Sequence, residues 1–239
     1  IERTQTIEQQ KMELEAEKEK SDTLLLNILP FETAEELKRT GSYKPRKYDN
    51  VSIVFTDFEG FTTISEKLTT EELVDMIDYC YKGFDLITSK HNIEKIKTIG
   101  DAYMCVSGLP VSNSEHASNA VNAAIEMLEF IEEFNADRKT KNQPYCRIRI
   151  GIHTGPVAAG VVGSKKFAYD IWGDSVNVAA RLESAAEGGK INISNSTYEL
   201  IKDRYHCVHR GKINVKNKGE IDMYFVNKLP GNANMTGTL

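Results

Sequence analysis

The hydrophobic positions change period several times along the chain, and each change predicts an element. From Ile1 to about Leu29 the residues are rich in Glu, Lys and Gln, with no glycine and no proline before Pro30, so one long helix stopped by that proline is expected. Its apolar seam is sparse. Ile7 and Leu14 stand a heptad apart, but Gln10, Glu17 and Ser21 fill the other seam positions before a cluster at Leu24, Leu25, Leu26, Ile28 and Leu29. The pattern reads as a weak parallel coiled coil, with a solvated single helix as the alternative. Phe31 to Arg39 reads as a short helix, and Thr40-Gly-Ser-Tyr-Lys-Pro45 supplies turn residues for a linker.

Beyond the linker the periods alternate. Val51, Ile53, Val54 and Phe55 form a short β-branched and aromatic run, a strand that ends at Asp57. Thr69-Thr-Glu-Glu offers a helix cap, and Leu73, Met76, Ile77, Tyr81, Phe84 and Ile87 then recur at helical spacing through Lys90. From Ile93 to Val106 two strand-like runs flank Gly100-Asp101, a two-residue hairpin signal. Ser114 is read as the cap of a second helix to about Asp137, and Arg147 to His153 alternates charged and apolar residues as a half-buried strand does. Strand, helix, hairpin, helix, strand is the ferredoxin-like βαββαβ order, within the mixed α/β (α+β) class. Val157 to Val162 and Phe167 to Trp172 read as further strands, Asp174 to Ala186 as a helix, Ile191 to Ile193 as a strand and Ser196 to Asp203 as a helix. Cys207 to Val215 and Met223 to Asn227 close the pattern as a strand pair; the small polar residues from Gly231 to Leu239 are expected to be disordered.

Composition narrows the function classes only a little. With 239 residues, 40% hydrophobic and 27% charged, the chain can hold one sizeable core and an appendage. A formal net charge of -5 without a Lys/Arg block gives no reason to expect nucleic acid. Cys80, Cys105, Cys146 and Cys207 are scattered without a Cys-x-x-Cys pair, so neither a zinc site nor a disulfide framework is indicated, and a reducing, cytoplasmic setting is expected. No apolar run reaches membrane-spanning length. The chain starts at Ile1 inside a helical pattern, so the expectation is a piece of something longer, compatible with an upstream sensor or membrane region.

The candidate chemistry starts with two carboxylates. If the Val51 strand and the Ile93 hairpin are neighbours, Asp57 and Asp101 meet at one edge of a sheet, and two convergent carboxylates with few other ligands suit magnesium. A lone turn aspartate more often caps its own backbone. Asn177 and Arg181, four apart on a predicted helix, share one face.

Four stretches carry a resemblance: Phe55-Thr-Asp-Phe-Glu-Gly-Phe-Thr62, Lys95-Ile-Lys-Thr-Ile-Gly-Asp-Ala-Tyr-Met104, Arg149-Ile-Gly-Ile-His-Thr-Gly155 and Tyr169-Asp-Ile-Trp-Gly-Asp-Ser-Val-Asn-Val-Ala-Ala-Arg181. In this order, over roughly Pro45 to Asn227, they resemble the class III nucleotidyl cyclase catalytic domain. The resemblance implies a helical signalling and linker segment over residues 1–44, a catalytic domain over 45–229 and a tail over 230–239. It implies an adenylyl cyclase that converts ATP to 3′,5′-cyclic AMP and pyrophosphate with two divalent ions, Mg2+ or Mn2+, in sites shared across a homodimer. By the family pattern Asp57, Asp101 and the carbonyl of Phe58 hold metal. Arg149 contacts the triphosphate, Asn177 and Arg181 form the transition-state pair, and Lys216, with Lys218 as a close competitor, binds phosphate. The usual Lys-Gly-Lys-Gly is here Lys-Asn-Lys-Gly, which puts Asn217 in a glycine position. Lys97 and Asp170 form the adenine-reading version of the base pocket, donating to N1 and accepting from N6. A guanylyl cyclase and an inactive nucleotide-binding or dimerising module are the alternatives.

Overall fold

The computed structural model describes residues 2–163, 166–215 and 218–227. The chain divides into two units, residues 1–46 with 159–170 and residues 47–158 with 171–239. In the first, α1 (Glu2–Leu26) is the expected long helix, and it stops three residues before the expected Leu29. Its last turn closes by Leu29 N–H donating to the Leu25 carbonyl at 3.0 Å. Ile7, Met12, Leu14 and Leu24 all stand exposed along it. α2 (Phe31–Thr40) starts directly after Pro30, and Lys38 ties it to α1 through a 2.8 Å ion pair with Asp22. Glu36 accepts from the Lys44 N–H at 3.1 Å and pairs with Arg46, whose guanidinium lies over the Tyr43 ring. The end of the linker is therefore fixed by charge-assisted bonds.

The second unit holds most of an eight-stranded sheet. After α2 the elements of the chain are β1 (Arg46–Phe58), α3 (Phe61–Ser65), α4 (Thr70–Lys90), β2 (Ile93–Ile99), β3 (Ala102–Ser107), α5 (His116–Thr140), β4 (Ile148–Val162), β5 (Ala168–Trp172), α6 (Asp174–Ser184), β6 (Ile191–Ser194), α7 (Asn195–Ile201), β7 (His206–Val215) and β8 (Gly219–Asn227). Strand order is β2-β3-β1-β4-β6-β8-β7, with β5 paired to β4. The first four strands have the ferredoxin-like arrangement: β3 lies between β1 and β2 and runs antiparallel to both. β6 adds parallel to β4, and the antiparallel β8–β7 pair extends the sheet.

Alternation along the strands sorts the two faces. Ile148, Ile150 and Ile152 of β4 and Ile191 and Ile193 of β6 are buried with Phe84 of α4 and Met127 of α5 in one core. Full burial of such side chains contributes about 1.5–3 kcal/mol each. Asn192, between the two isoleucines of β6, turns the other way and donates to the Leu182 carbonyl of α6 at 2.8 Å. There Val178 and Leu182 meet Val215 and Met223 in a smaller cluster. α4 and α5 thus cover one face and α6 the other.

Three expectations need correction. Ser114 does not cap α5; the helix starts at His116 without a side-chain cap, because Asn113 Oδ1 takes the Glu115 N–H at 2.8 Å and turns the chain first. The two strands expected around Gly155-Pro156 are one strand, β4, since proline's fixed φ fits an extended chain and costs only a donor. α3 follows the Asp57 strand where no element was expected. The Thr69 cap is present as a full capping box, with Thr69 Oγ1 accepting from Glu72 N and Glu72 Oε2 accepting from Thr69 N.

Candidate active site

β1 and β3 pair from Ser52↔Ser107 to Thr56↔Tyr103, so the end of β1 and the β2–β3 turn emerge at the same edge of the sheet. Asp57 follows the last paired residue of β1. Asp101 sits in the two-residue turn between Ile99 and Ala102, where Gly100 has φ +63°, the conformation a primed hairpin turn requires at its first central residue. Tyr81 of α4 donates to the Gly100 carbonyl at 3.4 Å and steadies the turn.

The two carboxylates converge. Burial pushes the Asp101 pKa up, and the nearby Asp57 charge pushes it further, as two acids in one partly dry site must. The Tyr81 phenol is pushed up to about 12, by burial first and then by the charges of Asp101 and Asp57. Arg149, from β4, answers this negative field: its Nη2 donates to Asp57 Oδ2 at 2.5 Å. Its Nε lies 3.1 Å from Glu183 Oε1 of α6.

Glu183 is the residue the sequence reading missed. Its side chain is only 8% exposed. Burial, and then the Asp57 charge, push its pKa up to about 7 against the opposing pull of Arg149. It reaches Arg149 because α6 lies against β4 without an intervening side chain. A Cβ at Gly151 would come within 2.1 Å of the Glu183 backbone nitrogen and 2.7 Å of the Ala179 carbonyl oxygen. Four residues on, Gly155 makes similar room for Ser175 Oγ, which donates to the Pro156 carbonyl at 2.8 Å. The signal was present in the stripe itself: Glu183 falls one turn after Ala179 and beside Leu182, within the buried face of α6.

The chain after Asp57 is clamped as well. Glu59 N–H donates to the Arg147 carbonyl at 2.8 Å, and its Oε1 accepts from Gly188 N–H at 3.1 Å. Phe58 is buried at 2% exposure beside Phe61 and Tyr81, so its backbone is held at the mouth of the site. Among the described residues no group of three or more His, Cys, Asp or Glu side chains has the arrangement of a closed metal site. The carboxylates brought together at this edge are Asp57 and Asp101. Such a set fits a hard divalent ion that keeps waters and takes phosphate oxygens, and not zinc.

The other expected residues fall elsewhere. Asn177 and Arg181 are exposed on α6, one turn apart as predicted, and no hydrogen bond or ion pair among the described residues joins them to Asp57, Asp101 or Arg149. Lys97 is exposed on β2, just past a bulge in its pairing with β3. Asp170 is half-buried on β5. Lys216 lies outside the described residues. Lys218 is near enough to His153 that, after burial, its charge helps hold that imidazole down at about 4.

The comparisons with known proteins agree with this architecture. The family described as the adenylate and guanylate cyclase catalytic domain matches residues 43–228. An adenylate cyclase of Mycobacterium tuberculosis is 40% identical over 214 residues, which cover 89% of this chain and 47% of the relative. Guanylate cyclase 32E of Drosophila melanogaster is 41% identical over 215 residues, covering 89% of this chain and 18% of the relative. The crystal structure of the adenylyl cyclase CyaB from P. aeruginosa matches with a TM-score of 0.75 at 31% identity, over 80% of this chain and all of that one. The chain thus spans about half the length of the mycobacterial relative and a smaller share of the fly one. Both substrate specificities occur among these relatives, and the chain belongs to the class III adenylyl and guanylyl cyclase catalytic-domain family.

Proposed function

We propose that the domain is an adenylyl cyclase that closes ATP into 3′,5′-cyclic AMP, at sites completed by a second copy of the chain. The observation that carries this reading is the convergence of Asp57, Asp101 and Arg149 at one sheet edge. In the reaction the ribose 3′-oxygen bonds to the α-phosphorus, the bond to the β-phosphate oxygen breaks, and pyrophosphate leaves. The protein must hold a bent nucleotide and meet the charge that grows on the phosphates.

Asp57, Asp101 and the Phe58 carbonyl would hold two magnesium or manganese ions, since cations would offset the burial and the Asp57 charge that raise the Asp101 pKa. Ions there supply a more acidic 3′-hydroxyl and neutralise the triphosphate. Arg149 turns from Asp57 to the triphosphate while Glu183 keeps its Nε in place. Asn177 orients the ribose and Arg181 braces the α-phosphate, both from the partner copy, which their exposure on α6 supports. Lys97 donates to adenine N1 and Asp170 accepts from N6; Lys216 or Lys218 meets the terminal phosphates.

Residues 1–44 serve as a signalling and dimerising helix and linker, and 45–229 as the catalytic domain; the tail over 230–239 lies outside the described residues. No described helix is long and apolar enough to cross a membrane. The four free thiols accord with a reducing, ATP-rich cytoplasm.

The fly relative favours a second reading, GTP as substrate. Turnover of ATP and GTP with manganese, in the native chain and in Lys97→Glu/Asp170→Cys, separates the two. Cyclic AMP from the native chain and weakened ATP use by the variant are expected. Preferred GTP turnover, or an unchanged ATP preference in the variant, overturns the base assignment. Nucleotide binding without product points to an inactive module.

A further inference from the structure

Behind the metal-binding edge, between the C-terminal half of α5 and the turn before β6, a groove of about 290 Å³ opens to solvent. That is the lower end of small-ligand clefts, roughly 300–1,000 Å³. Its apolar lining comes from Leu128 and Ile131 of α5, Ile148 of β4 and the ring of Tyr145. Three cations, Lys139, Arg147 and Lys190, line it against one carboxylate, Glu132. Neither lysine has a carboxylate partner among the described residues, and Lys139 stands 5.0 Å over the Tyr145 ring.

The walls are fixed in advance. Asn135 spans the Cys146 backbone, donating to its carbonyl and accepting from its N–H at 3.1 Å, while Arg138 Nε donates to the Pro144 carbonyl. Gly189 N–H donates to the Ile148 carbonyl at 2.8 Å. A preformed slot that carries an apolar patch beside two lysines without a carboxylate partner among the described residues suits a ligand with a compact apolar body and an anionic head.

Arg147 connects this groove to the active site. Its Nη2 donates to the Gly188 carbonyl and its Nη1 lies 3.5 Å from Glu59 Oε2, which leaves further guanidinium donors for a ligand. Glu59 is two residues from Asp57, and it presses so closely on the groove wall that a Cβ at Gly188 would meet its Oε2 at 2.2 Å. We propose that the groove is a regulatory site for a compact amphipathic anion, carboxylate or phosphate, whose engagement of Arg147 loosens the Glu59 clamp and lowers the metal affinity of the Asp57 edge. Binding is independent of the cyclase reading; only the effect on turnover rests on it.

The full chain is titrated with 3-phenylpropionate and with phenyl phosphate, followed by amide chemical shifts, with inorganic phosphate and 3-phenylpropanamide as head-only and body-only probes. Saturable binding of an aromatic anion is expected, weaker by about tenfold or more in Lys139→Glu/Lys190→Glu, and the tighter arm identifies the head. Bound anion should raise the manganese concentration needed for half-maximal turnover in the native chain. In Glu59→Gln binding should persist while that shift disappears. No saturable binding, equal binding to the folded charge-reversed variant, or equal affinity for inorganic phosphate or the amide overturns the site. Binding with no turnover under any condition removes the cyclase reading and leaves the site standing.

Discussion

The two halves of the proposed site are built differently. Asp57, Asp101, Arg149 and Glu183 are drawn from β1, a hairpin turn, β4 and α6, and they already face one another within one chain, with Arg149 between the carboxylates of Asp57 and Glu183. Asn177 and Arg181 stand exposed on the same α6 with nothing of the first half in reach of a bond among the described residues. One helix thus presents an inward carboxylate to its own chain and an outward Asn/Arg pair to solvent. The inward half is preorganised by packing, and in the proposed dimer the outward half would meet a phosphate held by a second copy.

The largest effect that tests this contrast is on turnover. Asp57→Ala and Arg181→Ala should each lower kcat by about a thousandfold, roughly 4 kcal/mol of barrier. Mixed in equal amounts, the two variants should recover about a quarter of native activity, because half the dimers are mixed and each restores one of two sites. A mixture as inactive as either parent would break the division into halves. Arg181→Ala, at an exposed side chain with no hydrogen bond or ion pair to the described residues, should leave thermal stability within about 0.5 kcal/mol.

How far the sequence alone reaches follows the same division. Asp57 and Asp101 could be placed together because a strand end and a two-residue turn are local signals, and only the pairing of β1 with β3 had to be supplied by the fold. Asn177 and Arg181 needed only helical spacing. Glu183 was out of reach of a motif reading, because its role depends on how closely α6 approaches β4. Gly151 and Gly155 permit that approach without announcing it, since a glycine in a strand pattern also reads as a bulge or a break. Gly155-Pro156 misled for that reason, and Ser114 misled because Asn113 competes for the same turn.

Gly151 therefore offers the next test. Gly151→Ala would set a methyl against backbone atoms of α6 that cannot swing aside, so destabilisation at the upper end of the overpacking range, about 3 kcal/mol, is expected by urea unfolding. Turnover should fall with it, because a displaced α6 takes Glu183 from Arg149 and carries Asn177 and Arg181 with it away from their native positions. A variant as stable as the native chain would mean that α6 does not rest on β4.

The smallest effect is a pH dependence confined to the inward half. Glu183 is buried, with a pKa raised from 4.5 to about 7, so the folded state binds its proton more tightly than the unfolded state does. Its contribution to stability is fully present below about pH 4.5 and is lost as pH rises through about 7, a swing of at most about 3 kcal/mol. Glu183→Gln keeps the shape and removes the titration. In chelator-treated protein, unfolding free energies measured from pH 5 to pH 8 should fall for the native chain relative to the variant, with the gap widest at pH 8. Parallel curves would show that Arg149 holds Glu183 ionised throughout, and the inward half would then be a plain ion-pair network with no proton stored in it.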